Sequence, residues 1–89
     1  MREDTFTGWL LWSRPPARLL DEIVITDHDG ATITNRPLPY GTVGTRGWDV
    51  TLRQLGFQRL GGWMPTTGGY VCRIQRIPPL SAAVLAHTA

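Results

Sequence analysis

Few side chains in this chain of 89 residues could build a triad-like nucleophile–base pair: Cys72, His28 and His87, and the serines Ser13 and Ser81. A reactive thiolate needs an exposed, electropositive setting, often a helix N-terminus. Cys72 instead falls between Tyr70 and Ile74 in an alternating apolar stretch, where a thiol behaves as a small buried hydrophobe. The two histidines lie 59 positions apart, so the sequence offers neither a nucleophile–base pair nor a set of metal ligands. Asp27-x-Asp29-Gly30 has the opening of a calcium loop. The ligands expected further along, with a closing Glu at position 12, are absent, because Ala31, Thr32 and Ile33 follow. The four residues read as a turn. No catalytic residue, cofactor or metal site is expected, and the chain reads as a non-enzyme.

Two segments could instead bind. Gly41-Thr-Val-Gly44-Thr-Arg-Gly47 leads into a helix, whose first backbone N–H groups can hold an anion. Gly44, Thr45, Arg46 and Gly47 are therefore anion-site candidates, with Arg46 adding a cation. Neither a GK[ST] ending nor a long buried strand before it completes a phosphate-binding fingerprint, and a flexible connection is the preferred reading. The second segment is a predicted hairpin carrying Arg59, Trp63, Tyr70, Arg73, Gln75 and Arg76. Such a set can contact phosphates and stack on bases, or dock an acidic protein surface, since Trp, Tyr and Arg dominate interface hot spots. A solvated sheet face with its Trp in the core is an equal alternative. Loop length bears on the choice. A four-residue loop, Pro65–Gly68, pairs Trp63 with Tyr70 on the Cys72 face; a three-residue loop, Thr66–Gly68, pairs it with Val71 beside Arg73 and Gln75.

The elements that must position these residues follow from pattern and punctuation. Thr5 to Ser13 is strand-like, with Phe6, Leu10 and Trp12 alternating against Thr5, Thr7 and Trp9, and Pro15-Pro16 ends it. Ile23 to Thr26 and Ala31 to Asn35 flank Asp27-His28-Asp29-Gly30, an Asp-Gly hairpin signal. Arg36 to Arg46 is loop. Trp48, Leu52 and Leu55 share one face of a helix over 48–55, capped by Thr45 or Gly47, with Asp49 at its dipole-favoured start. Gly56 sits where a left-handed stop belongs, with Phe57 placed to touch Leu52. Strands over 57–64 and 70–77 follow, joined by Pro65–Gly69, and an Ala-rich helix can run from Leu80 to His87 behind Pro78-Pro79.

Composition sets the frame. The chain is 42% hydrophobic and 18% charged, which suits one packed domain. A single cysteine excludes an internal disulfide and fits a reducing compartment. The longest apolar run, Trp9 to Trp12, falls far short of the ~20 residues of a membrane span, and Glu3 and Asp4 stand where a signal peptide would be positive; a cytoplasmic protein is expected. Residues 1–30 hold three Arg against six acids, and residues 31–89 six Arg against Asp49 alone. One part of the molecule should therefore attract anions and another repel them. All nine basic residues are Arg, by the codon bias of a GC-rich genome or for bidentate contacts that Lys cannot make.

The segment LRQLGFQRLGGWMPTTGGYVCRIQR, carried by Leu52, Leu55, Gly56, Phe57, Gly61 or Gly62, Trp63 and Tyr70, resembles the ends of small uncharacterised proteins of high-GC actinobacteria and their phages. The resemblance covers about a third of the chain and rests on structural residues. It implies an accessory or phage product that binds a host factor, and it transfers no active site.

The expected fold is a small α+β domain, 1–89: an antiparallel sheet of four or five strands packed on one short central helix, with a short C-terminal helix possible. The expected function is a non-enzymatic protein-binding module, homo-oligomeric or not. The alternative is a small nucleic-acid-binding protein using the basic C-terminal half. A net charge of +2 is modest for the latter.

Overall fold

The structure is a computed structural model that describes residues 5–17 and 19–78. Among the described residues six strands and one helix follow one another: β1 (Phe6–Leu11), β2 (Glu22–Thr26), β3 (Thr32–Pro37), α1 (Gly44–Gln54), β4 (Phe57–Arg59), β5 (Met64–Thr66) and β6 (Gly69–Arg76). The α+β expectation holds. The strand count is higher than four or five because the strand expected over 57–64 is broken into β4 and β5, which pair with opposite ends of β6. The expected C-terminal helix over Leu80–His87 lies outside the described residues.

All strands are antiparallel, in the order β3-β2-β1-β6-β4, with β5 also on β6. The first strand sits in the middle, bonded to β2 on one side and to β6, the last strand, on the other. Strand β1 alternates as its sequence does: Phe6, Gly8 and Leu10 are buried, and Trp12 just beyond meets Trp48 on the same side. Ile23 and Ile25 of β2 and Cys72 and Ile74 of β6 complete that face. Helix α1 lies over it, closing the core with Trp48 and Leu52. Gly8 makes the close approach possible, since a Cβ there would stand 3.4 Å from Leu52 Cδ2 and 3.3 Å from Ile74 Cγ2.

The Asp-Gly turn forms as read. Gly30 has φ +87°, and Asp27 Oδ1 accepts from the backbone N–H groups of Asp29 and Ala31, both at 2.9 Å. This carboxylate is occupied in holding a turn.

Helix α1 differs from its expected bounds at the start. It begins at Gly44, so neither Thr45 nor Gly47 caps it; Val43 is the N-cap and supplies no side-chain bond. Gly44 has φ +79°, a conformation open to glycine, and this lets the chain enter the helix sharply. Asp49 consequently lies beyond the first turn, which contains no acid. The stop is as expected. Leu55 is the half-buried C-cap, and Gly56 has φ +94° with its N–H on Arg53 O at 3.0 Å. Phe57 and Leu52 are both buried in the core, as the staple of such a stop requires. A Cβ at Gly56 would touch nothing within 4 Å, so Gly56→Ala isolates backbone strain. It should cost about 1 kcal/mol in a urea titration, with an unchanged m-value.

Candidate binding surface

The loop between β5 and β6 has two residues, Thr67 and Gly68, since Thr66 pairs with Gly69, Pro65 with Tyr70 and Met64 with Val71. Both loop lengths considered from sequence were therefore too long. Pro65 is accommodated because β5 is an edge strand, where a missing N–H can face outward. Extending the register places Trp63 opposite Cys72, hence on the helix side. There its ring meets Trp48 edge-on at 5.4 Å. Trp48 also contacts Trp12 at 5.9 Å and Tyr70 at 5.1 Å, so three of the four tryptophans join one cluster around the helix.

This geometry divides the six residues proposed from the hairpin. Trp63 and Tyr70 belong to the aromatic cluster. Arg76 spreads its guanidinium over the rings of Phe6 and Phe57, at 4.9 and 5.1 Å from their centroids, a cation–π contact that closes one end of the core. Arg59 reaches Asp49 of α1 with two bonds, Nε to Oδ1 at 2.7 Å and Nη2 to Oδ2 at 3.0 Å, and donates Nη1 to Gly61 O at 2.7 Å. Arg73 and Gln75 alternate to the opposite face. Arg59, Arg73 and Arg76 are thus neighbours in register but do not form one basic patch.

Asp49 went unrecognised in the sequence as the anchor of this region. Its Oδ1 also accepts from Trp63 Nε1 at 3.0 Å, so one carboxylate ties the helix to both ends of the Arg59–Trp63 crossing. Burial works against its charge; the bonds from Arg59 and Trp63, with the charges of Arg59 and Arg53, outweigh it and hold the carboxyl below its ordinary value of 3.8. The same bond raises the pKa of Arg59. A carboxyl whose folded pKa is depressed stabilises the fold above its unfolded pKa, and that contribution is lost as pH falls through the folded value. The stability gap between the wild type and Asp49→Asn should therefore be constant from neutral pH to about pH 5 and narrow below the ordinary carboxyl value, as read by urea midpoints.

Cys72 is 4% exposed, and burial pushes its thiol up to about 12. A thiol reagent at pH 7–8 should label the native protein slowly and the urea-unfolded protein readily.

Of the anion-site candidates, Gly44, Thr45, Arg46 and Gly47 form the uncapped first turn of α1, not the connection leading to it. A Cβ at Gly47 would stand 2.4 Å from Thr42 Cγ2, so the loop through Thr42 lies directly against the helix.

The face of the sheet away from α1 carries what the sequence did not reveal. Ladder pairing puts Val24 opposite Trp9, Trp9 opposite Val71, and Val71 opposite Met64. Residues directly opposite share a face, so four apolar side chains form a row across β2, β1, β6 and β5. Val24, Trp9 and Val71 are half-buried and Met64 is 64% exposed. Trp9 is steadied by its Nε1 bond to Thr26 Oγ1 at 3.0 Å. No described helix lies over this row. Thr7, Arg73 and Gln75 lie to one side and Leu11 and Glu22 to the other.

No family model, curated protein or solved structure matches the chain. Among the described residues, no helix is long and apolar enough to cross a membrane.

Proposed function

We propose that the chain is a small, non-enzymatic, cytoplasmic protein-binding module that docks its partner on the helix-free face of the sheet. The observation that carries this reading is the apolar row Val24–Trp9–Val71–Met64, over which no described helix lies. With strands about 4.8 Å apart the row is roughly 14 Å long, and it contains a tryptophan, bonded to Thr26 Oγ1, a residue type enriched in hot spots. The resemblance of Leu52–Arg76 to actinobacterial and phage proteins supports an accessory product acting on a host protein.

Against a nucleic-acid-binding role stands the use made of the arginines. Arg59 is committed to Asp49 and Arg76 to two phenylalanine rings. On the helix-free face, Arg73 is the one arginine of β1, β2 and β6 that faces outward, too little for a phosphate-tracking patch. Affinity capture from an actinobacterial lysate, with and without nuclease, separates the two. The proposal expects recovery of a protein that survives nuclease and is lost with Trp9→Ala and Met64→Glu. Recovery abolished by nuclease, or unchanged by both substitutions, would sink it.

A further inference from the structure

A second concave surface lies on the other side of the molecule. The loop Pro39–Val43 is closed on itself by Thr42, whose N–H and Oγ1 donate to Pro39 O at 3.0 and 2.7 Å, and between it and the outer face of α1 lies a groove of about 370 Å³. Its lining includes Pro39, Thr42, Val43, Arg46, Val50 and Gln54. Val43 is 85% exposed and Val50 40%. No acidic residue lines the groove. Arg46 stands at one end, and at the other Gln54 accepts a bond from Arg36 Nη1 at 3.2 Å, which brings a second guanidinium there with further donors to offer.

Arg46, Val50 and Gln54 recur every four residues, about 6 Å apart along the axis. Alternate side chains of an extended peptide recur at about 6.6 Å, so three successive same-side residues of such a peptide match cation, valine and the Gln54–Arg36 pair in turn.

We propose that this groove binds an extended peptide segment of the pattern acid–x–apolar–x–acid, its apolar side chain seated on Val43 and Val50 and its two carboxylates meeting Arg46 and Arg36. This site is separate from the helix-free face and does not rest on the protein-binding reading of that face.

The test uses the full chain, isotope-labelled for NMR, titrated with the blocked peptide Gly-Glu-Ser-Leu-Ser-Glu-Gly. Amide shifts at Val43, Arg46, Gly47 and Val50 are expected, with affinity lowered about tenfold or more in Arg46→Glu, the effect of setting like charges against each other. Because the peptide can run in either direction, both single Glu-to-Lys peptides are titrated against Arg46→Glu, and one of them should recover the lost affinity. Both side chains are exposed on the helix surface, so Arg46→Glu and the companion Val50→Ser should fold. The proposal is overturned if no shifts arise in the groove at millimolar peptide, if a Leu-to-Ser peptide binds equally, or if neither Lys peptide restores binding. Shifts confined to Trp9 and Val71 would also overturn it while leaving the helix-free face in play.

Discussion

Gly69→Ala is expected to leave the chain without a cooperative thermal transition. Gly69 is buried at the start of β6, paired with Leu11 on one side and Thr66 on the other. A Cβ there would stand 1.7 Å from Leu10 O and 2.8 Å from Leu10 C. These are backbone atoms of the central strand, so no rotamer change relieves the overlap; β1 and β6 must separate, and that pair joins the first and last strands of the sheet. A domain of this length has roughly 5–13 kcal/mol of total stability, and parting its central ladder removes most of it. Gly68→Ala, one position earlier, is the control. Gly68 has φ +85° and nothing within 4 Å of its Cβ, so that variant should lose only about 1 kcal/mol. Circular dichroism melts of the two variants make the comparison; equal melts would contradict the close approach.

Trp48→Ala should be the most damaging side-chain truncation, at about 3–5 kcal/mol by urea denaturation. Trp48 is 6% exposed and holds Trp12, Trp63 and Tyr70 around it, so its loss opens a cavity and leaves three rings without their common neighbour. Such ring pairs add about 0.5–1.5 kcal/mol beyond their burial. Trp9→Ala provides the contrast. Trp9 is half-buried on the opposite face and makes one side-chain bond, to Thr26; about 1–2 kcal/mol is expected. A protein that tolerates loss of Trp9 far better than loss of Trp48 is using the two sheet faces for different purposes.

What the sequence disclosed was local. The Asp27–Gly30 turn, the Gly56 stop and the alternation of Phe6, Leu10 and Trp12 depend on residues within one turn or strand of each other, where propensity and spacing suffice. The β5–β6 loop was misjudged because Pro65 and the Gly68-Gly69 pair were read as turn chemistry. Pro65 is tolerated on an edge strand, and Gly69 is required by close backbone approach rather than by a turn; both uses are hidden from composition. The face of Trp63 follows from loop parity, and any even loop length yields the core face. Asp49 and Arg59 stand ten residues apart across a helix stop and a strand, a separation that neither helical nor strand periodicity marks. The apolar row on the helix-free face needs the registers of three strand pairs at once, two of them joining segments far apart in sequence. The single-residue chemistry of Trp9 offered no hint of it.

The most direct measurement is hydroxyl-radical footprinting of the protein free and in its captured complex, read at the four tryptophans and at Met64. Trp9 and Met64 lie on the row that binds, whereas Trp12, 42% exposed, lies on the helix side and serves as an internal reference. The account predicts that Trp9 and Met64 are protected in the complex while Trp12 is oxidised at its free rate. Protection of Trp12 with Trp9 and Met64 unchanged would contradict it and move the interface to the helix side of the sheet.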